Sequence, residues 1–181
     1  MKSKNILIIA ITTVVMLSIP LMAMQFTNEV NWTVTDFLIM GTLIFGAGLT
    51  FEWISSRGNS TLYRIAVGVA VLTAFLLTWS NLAVGIIGSD GNPANLMYYI
   101  MIAIGIVGAV IVRFRANGMS LVAFTMAGVQ IIIPLIALVI WSSDFEPGVI
   151  QVFGINLFFA LMFVVSAFLF KRAGNINSTA S

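Results

Sequence analysis

The chain contains neither cysteine nor histidine. Their absence excludes disulfides, thiol nucleophiles, thiolate or imidazole metal sites, histidine-ligated haem and Ser-His-Asp catalysis. Charge is almost as scarce. Only 8% of the 181 residues are Asp, Glu, Lys or Arg, whereas a soluble domain carries about a quarter. The pI of 9.3 rests on a net charge of +2, and no basic run is dense enough to hold nucleic acid. No lysine lies inside an apolar run to carry a Schiff base, and no two carboxylates approach each other in sequence or in expected depth. Acid–base catalysis and carboxylate metal sites are therefore disfavoured, and the expectation is a non-enzyme without a cofactor.

What is present is apolar. Hydrophobic residues make up 60% of the chain, and mean hydropathy is +1.10. Lipid is the solvent such a composition requires. Crossing about 30 Å of hydrocarbon takes roughly 20 residues of helix. Six stretches meet that length, near 5–24, 35–54, 62–87, 95–112, 119–141 and 149–170. Short loops between them predict sequential antiparallel neighbours in one compact bundle over residues 1–172, followed by a short polar tail at 173–181. The fold class expected is thus an all-α integral membrane protein of six transmembrane helices.

Charge sorts by side. Lys2, Lys4, Arg57, Arg64, Arg113, Arg115, Lys171 and Arg172 all fall on one side of a six-span arrangement, and Glu29, Asp36, Asp90, Asp144 and Glu146 fall on the other. The positive-inside rule makes the basic side cytoplasmic and places both termini there. Residues 1–23 also fit a competing reading, a secretory signal peptide cleaved after Ala23. Leu21 is a poor residue for that cleavage site, so a retained helix is preferred. Ser60 or Thr61 is suited to cap the third helix, Asn92-Pro93 to start the fourth, and Glu146-Pro147 to start the sixth. Residues 82–88 are ambiguous between continued helix and a bent interfacial segment.

Three groups of residues stand out. Thr42, Gly46 and Thr50 in the second span, and Ala66, Ala70 and Ala74 in the third, repeat small residues every four positions and predict a close seam between these helices. Gly105 with Ala109, and Ala123 with Ala127, predict a similar seam between the fourth and fifth. Glu52, the one acid near the basic side, predicts an ion pair with Arg57 or Arg64. Gln130, one turn before Pro134, is the most conspicuous polar residue at depth. An unpaired amide in hydrocarbon costs several kcal/mol, so it needs partners. Asn156, Asn81 and Thr78 are the candidates, with Trp79 beside them. Such a cluster is either an interhelical clamp or the lining of a ligand or solute site.

In general character the chain is similar to small bacterial inner-membrane proteins. Two functions follow as expectations. One is a non-catalytic accessory or assembly subunit, or a binder of a hydrophobic molecule within the bilayer, acting as a homo-oligomer or in a larger complex. The alternative is a small passive channel or transporter with a polar waist at Gln130, Asn156 and Asn81.

Overall fold

Each apolar stretch forms a helix, because within a helix every backbone group finds its partner locally. The computed structural model describes residues 3–141 and 148–179. It contains α1 (Ser3–Phe26), α2 (Val34–Ser55), α3 (Thr61–Ala83), α4 (Leu96–Ile111), α5 (Ala116–Ile140) and α6 (Val149–Thr179). Among the described residues there is no strand, and all six helices are long and apolar enough to cross a membrane. Lys2, Asp144, Glu146 and the Glu146-Pro147 start signal lie outside the described residues.

Local chemistry sets the boundaries. The Ser60 hydroxyl caps α3 by accepting the Tyr63 N–H at 3.1 Å. Asn92 caps a 3-10 turn, Pro93–Asn95, that leads into α4, and accepts the Ala94 N–H at 2.9 Å. Thr33 and Asp36 form a reciprocal capping box at the start of α2 that the sequence reading overlooked. Two ends differ from expectation. α3 stops at Ala83 rather than running to 87, because Gly85 takes a left-handed φ of +71° and turns the chain. α6 stays helical to Thr179, where a polar tail was expected from 173; Ala173 and Gly174 are buried, and a Cβ on Gly174 would collide with the Asn117 side chain of α5.

The chain divides into two compact units, Met1–Trp53 and Ile54–Ser181. In the first, α2 approaches α1 through glycines. A Cβ on Gly48 would lie 2.6 Å from Ile9, and one on Gly41 would lie 3.2 Å from Leu17. The Asn5 amide donates to the Glu52 carboxylate at one end of this pair.

In the second unit α6 is central, packed between α3 and α5, and α4 lies against α5. Sequential neighbours are thus only part of the arrangement. The reason is visible in the buried positions. In α5 they fall at 119, 120, 123, 126, 127, 130, 133, 134 and 137, and in α6 at 152, 156, 159, 160, 163, 166, 167, 170, 173 and 174, stripes centred on the series 119, 123, 126, 130, 133, 137 and 152, 156, 159, 163, 166, 170, 173. Alternating steps of four and three are the spacing of a knobs-into-holes seam. Small residues bring the helices close: Gly105 of α4 faces Met126 of α5, and a Cβ on Gly108 would sit 3.1 Å from Val122. The Ser166 hydroxyl of α6 donates to the Ala66 carbonyl of α3 at 2.9 Å. Ala66, expected to face the second helix, is therefore buried against α6. Ala70 and Ala74 are half-buried. Thr42 and Thr50 are exposed, and a Cβ on Gly46 would meet open space. The close glycines of α2 are instead Gly41 and Gly48.

Candidate functional site

Three fully buried polar residues of the second unit, one on each of three helices, meet in one cluster. Seam spacing turns Gln130 of α5 and Asn156 of α6 inward, and Tyr98 of α4 joins them; all three are 0% exposed. Asn156 is the hub. Its Oδ1 accepts from Gln130 Nε2 at 2.9 Å and from the Tyr98 hydroxyl at 3.0 Å. Its Nδ2 donates to the Val152 carbonyl at 2.8 Å, one turn back in its own helix. The Gln130 amide thus bonds across to another helix. Gln130 Oε1, by contrast, is buried and accepts no hydrogen bond. Leu77, Met101, Met126, Ile133 and Phe163 are among the apolar residues that share this core.

All three side chains are neutral, and each is closed off from water. Such a group holds helices in register. Interhelical bonds of this kind contribute about 0.6 kcal/mol each.

The other residues proposed for the cluster lie elsewhere. Asn81 belongs to a second network, at the turn between α3 and α4, where its Nδ2 donates to the Asn95 carbonyl at 3.1 Å. Asn95 organises that turn. Its Oδ1 accepts the Ile86 and Ile87 N–H groups at 3.2 and 3.0 Å, and its Nδ2 donates to the Ile87 and Ser89 carbonyls at 3.1 and 2.7 Å. Ile86 and Ile87 are thereby held in the core, at 3% and 0% exposure. This settles the 82–88 ambiguity in favour of a bent segment. Asn81 Oδ1 is a second buried acceptor without a partner. Thr78 donates to its own helix, at the Ala74 carbonyl, 2.8 Å away. Trp79 is exposed and stacks on Phe75 with ring centroids 6.4 Å apart.

An apolar groove of about 420 Å³ runs beside this turn. It is lined by Ser80, Val84, Gly85 and Ile86 from the end of α3 and the following turn, and by Gly154, Ile155, Phe158 and Phe159 of α6. A Cβ on Gly154 would meet nothing within 4 Å, so that glycine widens the groove rather than serving a helix contact.

Glu52 and the arginines proposed as its partners fall in different units. Within its own unit Glu52 accepts from Asn5, and within the other the Arg57 guanidinium lies over the Phe114 ring, 5.7 Å from its centroid. Arg64 is exposed.

Sequence reasoning missed Tyr98 and Asn95. The signal for Tyr98 was its step from Ala94, Met101 and Gly105, which puts all four on one helical face. Asn95 carried no comparable signal, because Asn92-Pro93 already accounted for the helix start.

Comparison with protein-family models, with curated proteins and with solved structures finds no match to this chain. What fold and composition define is an all-helical protein with six apolar helices, the architecture of a multi-pass membrane protein.

Proposed function

We propose that the chain is a multi-pass protein of the bacterial inner membrane, with both termini cytoplasmic, that works by packing rather than by catalysis. Its role is that of an accessory or assembly subunit, or of a binder of a hydrophobic molecule within the bilayer, as a homo-oligomer or in a larger complex. The observation that carries this reading is the closed cluster of Gln130, Asn156 and Tyr98. A solute path through the second unit would need these groups wet, and each is 0% exposed. The apolar groove beside Ser80 supports the hydrophobic-molecule form of the proposal. The sorting of cations to one side supports the orientation.

A passive channel with its waist at Gln130 draws on one observation, the unpartnered Gln130 Oε1, which a passing donor would satisfy. The packing reading is preferred because Asn81, the third member of that waist, is engaged in the α3–α4 turn.

Gentle extraction followed by native mass measurement is the direct test. The packing reading expects co-purifying subunits or a bound apolar molecule at fixed stoichiometry. It also expects Gln130→Leu to leave solute flux across reconstituted vesicles unchanged. A folded Gln130→Leu protein that loses a flux shown by the native chain would overturn it.

A further inference from the structure

Three segments distant in sequence meet in a buried knot at one end of the second unit. The Tyr63 hydroxyl donates to the Phe114 carbonyl at 2.7 Å, and the Tyr63 ring packs edge-on against Phe170 with centroids 5.2 Å apart. Tyr63, Phe114 and Phe170 are 2%, 9% and 0% exposed. Each ring adjoins cations. Arg64 follows Tyr63, Arg113 and Arg115 flank Phe114, and Lys171 and Arg172 follow Phe170; all five are exposed. Arg57, over the Phe114 ring, is a sixth.

The backbone is forced to make this arrangement. Arg113 and Phe114 are consecutive non-glycine residues in the left-handed region, with φ of +53° and +58°. Bulky side chains seldom take that conformation, and it persists only where surrounding contacts hold it. Here it yields a turn that buries Phe114 and leaves the arginine on either side exposed. Among the described residues of this unit the sole acid is Asp90, at the opposite end. The five exposed cations of α3, the α4–α5 turn and α6, gathered at an end where the described residues of this unit place no acid, attract an anionic partner. The ends of apolar helices set the height of that partner, at the level where phospholipid headgroups lie.

We propose that this end of the second unit is a docking surface for anionic phospholipid headgroups, assembled by the Tyr63–Phe114–Phe170 knot from the cations of α3, the α4–α5 turn and α6. Zwitterionic lipid fits poorly, since its own cation opposes the cluster. A juxtamembrane Lys or Arg contributes about a fivefold gain in affinity for an anionic leaflet.

The test uses the full chain in neutral detergent, supplied with phosphatidylglycerol or phosphatidylcholine of identical acyl chains and analysed by native mass spectrometry. The native chain should retain phosphatidylglycerol at least about fivefold better, and high salt should erase the preference. Equal retention of the two lipids would overturn the proposal. Arg113→Gln with Arg115→Gln should lower the preference by up to about 25-fold, the product of two such gains, whereas Arg113→Lys with Arg115→Lys should keep it. Should the glutamine pair fail to fold, Lys171→Gln with Arg172→Gln tests the same surface from α6. A full preference in a folded glutamine variant would refute the surface, and displacement of lipid by millimolar inorganic phosphate would refute a lipid as its occupant.

Discussion

Replacing either amide of the buried cluster by leucine removes the same Gln130–Asn156 hydrogen bond, yet the two substitutions should differ sharply in cost. Asn156→Leu removes an acceptor that serves both Gln130 Nε2 and the Tyr98 hydroxyl. Two donors are then stranded in sites that are 0% exposed. Each stranded group costs about 1–3 kcal/mol, lessened where it finds another partner, so a loss of about 2–4 kcal/mol is expected. Gln130→Leu forfeits one bond of about 0.6 kcal/mol but also deletes Oε1, a buried acceptor that has no partner. Asn156 keeps the Tyr98 hydroxyl. The loss and the relief offset, and the net change should stay within about 1 kcal/mol of zero. Reversible unfolding in mixed micelles of rising dodecyl sulfate fraction, followed by circular dichroism, measures both variants on one scale. Equal destabilisation by the two substitutions, or a Gln130→Leu loss above about 2 kcal/mol, would refute the account, because Gln130 Oε1 would then have to be satisfied. The same near-neutrality is what makes Gln130→Leu a clean probe of solute flux.

Other outcomes follow from the same geometry. Asn95→Ala removes four hydrogen bonds to the α3–α4 turn, and hydrogen exchange at the Ile86 and Ile87 amides should accelerate markedly while exchange in mid-α5 stays unchanged. Gly85→Ala places a Cβ 2.5 Å from the Ser89 backbone at a φ of +71°, and should cost about 2–3 kcal/mol in the same micelle titration. Ser166→Ala loses only the bond to Ala66, about 0.6 kcal/mol, whereas Ser166→Leu wedges α3 from α6 and should cost several times more. Tyr63→Phe should lower the melting temperature by a few degrees, since the Phe114 carbonyl loses its donor in an already strained turn.

Much of the architecture was legible along the chain. The helices were readable because a span depends on the summed transfer free energy of consecutive residues, which needs no knowledge of neighbours. Caps at Ser60 and Asn92 were readable because a cap bonds to backbone two or three residues away. The polar residues were harder. Gln130 and Asn156 stood out as amides at depth, yet Asn81 stood out equally and belongs to a different network. Depth names which groups need partners, but not which partners they meet. The small-residue stripe at Ala66 shows the same limit: it announced a close contact, and the structure supplies Ser166 of α6 as one partner there.

By itself the sequence determined that this chain forms six apolar helices, what chemistry its missing residues exclude, and on which loops its charges lie. All of these are properties of composition and local order. Only the tertiary structure decided that α6 lies between α3 and α5, that Asn95 draws Ile86 and Ile87 inward, and that Tyr98 completes the amide cluster. Those outcomes depend on the rotation of each helix about its own axis and on which neighbour it meets. Helices apolar on every side carry little directional information about either, so the choice falls to small-residue contacts and to the pairing of a few buried hydrogen-bonding groups.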